Sequence, residues 1–257
     1  MLACKTVQIY GTTSDIDMQH DSAEWRYCLG WRKLRSNGVI RTYTMHENAA
    51  EPSTCSTIVR NGGISLMNIK GHLNTINHHK FLVTAMCFKV GLYRQGLLHD
   101  LSKYHPKEFF PGIRYYQGNR SPYFMEKKLH RVSRGWLHHK GRNPHHFEYW
   151  IDLSPVPGEG WVGMKMPKRY VAEMIIDRIC ASKNYQKEAY RDESALVYYM
   201  QGRDKLLIDP ETDFLARYLL TLLAKKGEKA FLHYMRHIFL KNIDGDYHVI
   251  DHKLVLE

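Results

Sequence analysis

Between residues 72 and 90, the side chains of His72, Ile76, His79, Val83, Met86 and Val90 recur on one narrow face at about 100° per residue. That stripe predicts a long helix, which Gly91 ends, and it sets two imidazoles into an apolar seam. An unpaired imidazole at His79 would be costly, so His79 either finds a hydrogen-bond partner in the core or ligates a metal. His72 shares that face, but two turns away at about 10.5 Å, too far to ligate the same ion. His78 points about 100° aside, toward solvent.

The same helical text continues. A second helix is predicted over 93–104 through Leu97, Leu98 and Leu101, and a third over Lys127–Trp136. Pro144 is placed to open a helix through HHFEYWI. Pro167 opens another, with Val171, Ile175 and Ile179 at i, i+4 and i+8. Asp209-Pro210 starts DFLARYLLTLLAKK, which Gly227 terminates before a last helix over 228–242. The closing DYHVIDHKLVLE alternates as a short strand does. The expectation is an all-α helical domain over 67–242 with a C-terminal tail, 243–257. Residues 1–66 are rich in Ser, Thr, Asn and Gly and lack a sustained helical period. They read as a poorly structured or small β-containing extension (KTVQIYG, VIRTYTM), or as a segment outside the working protein, with Met67 its start.

Composition excludes several classes. No run reaches the ~18 apolar residues of a membrane span, and MLACKTVQIYGTTSD lacks the basic-then-apolar order of a secretory leader. Five scattered cysteines without a CxxC pair argue against a disulfide framework or a cysteine-built zinc site. A cytoplasmic protein is expected. The net charge of +11 lies almost wholly in residues 67–257, which suits a phosphate-bearing substrate.

Histidine is the sharper signal, with ten of the 16 between residues 72 and 146. Neutral imidazole is a common metal ligand, and a site needs several converging with carboxylate oxygen. His99-Asp100 lies in LLHDLSKY, where a helix would place His99, Asp100 and Lys103 on one face. His20-Asp21, in a polar stretch without partners, is a chance dipeptide. In WLHHKGRNPHHFEYW, His138, His139, His145 and His146 flank a tight turn and can meet at one point. Asp177, on the flank of its helix's apolar face, either pairs with a neighbour such as Arg178 or ligates a metal. Tyr115, Tyr116, Phe147, Tyr149 and Trp150 flank the histidines and read chiefly as core.

The order H…HDxxK…HH…HH…D resembles the HD-domain superfamily of helical metal-dependent phosphohydrolases, and HDLSK is similar to the HDxGK segment of its HD-GYP branch. More closely, residues 67–242 resemble an uncharacterised HD-like family of bacteria and their viruses. The matching blocks are GLYRQGLLHDLSKYHPKEF, YYQGNRSP, WLHHKGRNPHHFEYW, GMKMPKRYVAEMIIDR and LIDPETDFLARYLLTLLAKKGE. The resemblance implies an HD-domain-like helical bundle in which His79, His99, Asp100 and Asp177 are the four-ligand set. His138, His139, His145 and His146 resemble the additional ligands of branches that hold two metals bridged by the HD aspartate. It implies one or two divalent ions (Fe, Mn or Zn) and a phosphorylated small molecule or nucleotide as substrate. Asp100 and Lys103 would serve catalysis, with Lys140, Arg142 and Arg178 near the mouth on phosphate oxygens. The GYP element is absent, so cyclic-dinucleotide hydrolysis is not implied. Two rivals stand beside this reading: an HD-like di-iron oxygenase with the same ligand order, and a basic nucleic-acid-binding module with a structural ion. The second lacks an arginine-rich recognition segment.

Overall fold

The computed structural model describes residues 66–257; the expected N-terminal extension, its strands and His20-Asp21 lie outside the described residues. The first long helix, α1 (Leu66–Val90), carries the apolar stripe, with Ile76, Val83, Met86 and Val90 all buried. Gly91 ends it at φ 90°, a left-handed value that costs a glycine little. Short helices follow: α2 (Tyr93–Leu98), a 3-10 turn (Leu101–Tyr104), α3 (Pro106–Arg114), α4 (Pro122–His130) and α5 (Arg134–Lys140). Their starts are encoded locally. Pro106 and Pro122 open α3 and α4, and the Ser133 hydroxyl caps α5 by accepting from the Trp136 amide at 2.9 Å.

Three predicted helices are corrected. The 93–104 segment breaks after Leu98, because Asp100 turns the chain at φ 55°. The Lys127–Trp136 segment is interrupted at Arg131, φ 66°, which divides α4 from α5. The residues after Pro144 make a turn and one 3-10 turn (Phe147–Trp150), then a hairpin of β1 (Ile151–Leu153) with β2 (Trp161–Gly163). The segment from Trp150 leaves toward an edge-paired strand, so the chain there has no helical ladder to join.

The centre of the domain is α6 (Lys168–Gln186), preceded by Pro167. Val171, Ile175 and Ile179 are each fully buried, as their i, i+4, i+8 spacing predicts, and each contributes roughly 1.5–3 kcal/mol by burial. α6 packs on α1, on α7 (Ser194–Gly202) and on α8 (Pro210–Tyr234). Asp209 caps α8 by accepting from the Thr212 amide at 2.9 Å. Gly227 breaks the regularity of α8 at φ 78°, and the helix resumes before a π-helical turn over Met235–Phe239. The tail forms a hairpin of β3 (Tyr247–Ile250) with β4 (Lys253–Leu256), two strands where one was expected. Its Tyr247 is fully buried and donates to the Met166 carbonyl at 2.8 Å, which ties the hairpin to the core. The described residues are thus mostly helical, with two small antiparallel hairpins.

Candidate metal centre

The break after Leu98 builds the site. Asp100 adopts φ 55°, ψ 22°, a left-handed conformation that Asp tolerates better than most residues. The His99 amide still bonds back to the Gln95 carbonyl at 2.7 Å, and the Lys103 amide to the Asp100 carbonyl at 2.9 Å. His99 and Asp100 therefore turn inward together and are almost wholly buried, while Leu97, Leu98 and Leu101 are exposed rather than interior. A continuous helix would have presented the pair on one face; the turn aims it at the protein interior.

Around Asp100 the structure gathers two sets of donor atoms, each set within 4.8 Å: His79, His99, Asp100 and Asp177, and Asp100, His139, His145 and His146. In the first, His79 Nε2 lies 2.9 Å from Asp177 Oδ1, and His99 Nε2 lies 3.3 Å from Asp100 Oδ2. In the second, Asp100 Oδ1 lies 3.3 Å from His139 Nε2 and 3.4 Å from His145 Nε2. Two imidazole nitrogens also face each other in each set, His79 with His99 at 3.4 Å and His139 with His146 at 2.9 Å. Bare lone pairs that close repel, so a proton or a cation must lie between them.

The orientation of the imidazoles is set from outside by two glutamates. Glu173 Oε1 accepts from His99 Nδ1 at 2.9 Å and from His145 Nδ1 at 3.1 Å. Glu108 accepts from His139 Nδ1 at 2.8 Å and, through its other oxygen, from His138 Nδ1 at 2.6 Å. Tyr123 donates a further bond to Glu108 at 3.1 Å. With Nδ1 bonded outward, His99, His139 and His145 turn their Nε2 atoms toward Asp100, the outer-carboxylate arrangement that orients metal-binding histidines.

The donor set fits a cation on a second ground. Asp100 is almost wholly buried, yet neither oxygen receives a hydrogen bond of good geometry, and His145 Nε2 has only its 3.4 Å contact with Asp100 Oδ1. The Lys103 ammonium pairs with Oδ2, which supplies one counter-charge. Burial pushes Asp100 up, but His99, Lys103 and His139 outweigh it and hold the carboxyl well below the usual range. Asp177 is held low in the same way by His79 and His99 against its burial. Burial, then His145 and His139, push His146 well down, and burial and Lys103 lower His79, so both present lone pairs. Buried anionic oxygen and imidazole nitrogen form a donor set that could hold a metal ion.

The structure brings seven of the eight predicted ligands together and sets His138 apart, on Glu108. Arg178 faces away, its guanidinium 5.0 Å from the Tyr199 ring centre. A cavity of about 150 Å³ opens onto His79, His139, His146 and Asp177 and is lined also by Lys103. Lys140, Arg142 and Arg178 do not line it; Arg120 does, a cation that sequence reasoning missed. Of the flanking aromatics, Tyr116 lines the cavity, Phe147 is core, and Tyr149 is exposed. Glu173 and Glu108 were also missed. For Glu173 a signal existed, since it stands four residues before Asp177 and so on the same helix face.

Fold and site together define a mostly helical protein with buried His/Asp groups able to hold a metal, and no helix among the described residues is long and apolar enough to cross a membrane. The model of a family of unknown function, DUF5662, matches residues 68–221, and the chain belongs to that family. No curated protein and no solved structure matches it.

Proposed function

We propose that the chain is a metal-dependent phosphohydrolase with an HD-domain-like helical bundle, acting on a phosphorylated small molecule. The observation that carries this reading is Asp100. One buried carboxylate joins two histidine–carboxylate groups beside a cavity that holds a lysine ammonium. His79, His99, Asp100 and Asp177 would hold one divalent ion (Fe, Mn or Zn), and Asp100, His139, His145 and His146 a second. When bound, such ions supply a water acidified to a pKa of about 7 and a Lewis acid for a phosphoryl oxygen. The chain's own residues do the rest. Asp100 and Asp177 bring negative charge that keeps the cations in place. Burial weakens the Lys103 ammonium, but Asp100 and Asp177 hold its pKa above the usual lysine range, so it stays charged and can bind a phosphate oxygen. Arg120 at the cavity wall offers a second cation.

The test is the purified wild-type chain beside Asp100→Ala, with metal analysis, hydrolysis of 4-nitrophenyl phosphate and its bis-ester, and oxygen uptake. The wild type is expected to hold one or two divalent ions and release nitrophenol, and the variant to lose both properties. Stoichiometric metal retained by Asp100→Ala would sink the assignment. Substrate-dependent oxygen uptake without phosphate release would point instead to the di-iron oxygenase.

A further inference from the structure

The cavity extends past the carboxylate–histidine groups along two helices. α1 lines it with His72, Thr75 and His79, and α6 with Asp177, Asn184 and Tyr185. The helices run antiparallel here, because His79 meets Asp177 at 2.9 Å while the Thr75 carbonyl accepts from Asn184 Nδ2 at 3.3 Å. One end holds His79 and Asp177. The other, two turns or about 10.5 Å along α1, holds His72.

His72 is 5% exposed, it lines the cavity, and it makes no hydrogen bond or ion pair with any described residue. Its ring is held in place by shape alone. A Cβ at Gly112 would lie 2.3 Å from Nε2, so only glycine lets α3 approach this closely. The rings of Phe109 and Tyr116 stand at 5.5 Å and 6.0 Å, and the Thr75 hydroxyl fixes Tyr116 by a 2.9 Å bond to its phenol oxygen. Burial first, then the charge of Lys103, pushes the imidazole pKa down to about 4, so the ring is neutral and offers one N–H and one lone pair. With no protein partner and an opening onto the cavity, the imidazole is available to a ligand there.

We propose that His72 is a recognition residue, reading a neutral hydrogen-bonding group on the organic part of a phosphomonoester whose phosphate sits at Lys103. This rests on the phosphohydrolase reading and adds what the far end of the site selects. An occupant touching both His79 and His72 must span roughly 10 Å, so inorganic phosphate bound beside His79 does not reach His72.

The test uses the metal-loaded full chain and three non-hydrolysable probes in calorimetric titration. They are 4-nitrobenzylphosphonate, which carries an acceptor at its far end, benzylphosphonate, which does not, and inorganic phosphate. Wild type is expected to prefer the nitro compound. His72→Phe is expected to erase that preference, a loss of about tenfold, with metal content and inorganic phosphate affinity unchanged. His72→Gln keeps a hydrogen-bonding terminus and is expected to retain part of the preference; it also serves where a Phe ring does not fit against Gly112. Equal wild-type binding of the two phosphonates, or equal weakening of all three ligands by His72→Phe, overturns the recognition role and leaves the phosphohydrolase reading standing. Metal-loaded wild type that binds none of the three overturns both.

Discussion

Glu173→Gln separates charge from shape at the candidate metal centre. Glu173 offers a single oxygen, Oε1, to His99 Nδ1 at 2.9 Å and His145 Nδ1 at 3.1 Å. Glutamine keeps an oxygen there and removes the negative charge. A hydrogen bond to a charged group contributes about 1.5–3 kcal/mol against about 0.5–1.5 kcal/mol for a neutral one, so each bond weakens by about 1 kcal/mol. One bond serves each donor set, since His99 stands with Asp177 and His145 with His139. At about 1.4 kcal/mol per decade, each ion is held about fivefold less tightly, and both together about 30-fold, within the range seen when outer partners of metal ligands are removed. The assay is competition of the apoprotein against a chromophoric chelator for zinc or manganese, with a thermal melt of the apoprotein as control. Unchanged affinity for both ions in a folded variant would show that Glu173 does not orient these imidazoles as ligands.

Gly112→Ala is expected to destabilise the fold by about 1–3 kcal/mol, because its Cβ would meet His72 Nε2 at 2.3 Å; adding His72→Ala should recover most of that loss in a double-mutant cycle read by urea unfolding. Ile175→Ala, fully buried on α6, should cost about 2–5 kcal/mol, seen as a lower urea midpoint with unchanged slope. Asp213 is held below the ordinary aspartate range: burial opposes this, but bonds from Arg203 and Tyr199 and the charge of Arg217 prevail. Its folded pKa being depressed, its contribution is present above the unfolded value and is lost as pH falls through the folded one. Asp213→Asn should therefore flatten the acid limb of a stability–pH curve below about pH 4 and leave the neutral region parallel to wild type.

Much of the candidate site was legible in the sequence because its residues come in unusual pairs at unusual places. His79 stood out as an imidazole in an apolar stripe, and the structure gives it Asp177. His139, His145 and His146 stood out as doublets around a turn. The outer partner of His139 was not legible: Glu108 lies in PKEFF, where a glutamate is unremarkable on a helix, and only its burial beneath His138 and His139 marks it. The same limit misplaced Arg178, which neighbours Asp177 in the chain but points about 100° away along a helix, onto Tyr199. The helical fold was legible where apolar spacing was regular, as in α1 and α6. It failed at 93–104, where the left-handed turn at Asp100 overrides the apolar spacing of Leu97, Leu98 and Leu101. That irregularity is itself what delivers the site.

If Asp100 joins two metal-holding groups, anomalous diffraction from crystals of the full chain grown with manganese or zinc will show two peaks about 3.5–4 Å apart, flanking the Asp100 carboxylate. One would lie within ~2.0–2.2 Å of donor atoms from His79, His99 and Asp177, and the other within that distance of donors from His139, His145 and His146. Metal-saturated crystals with no anomalous density at Asp100 would contradict it.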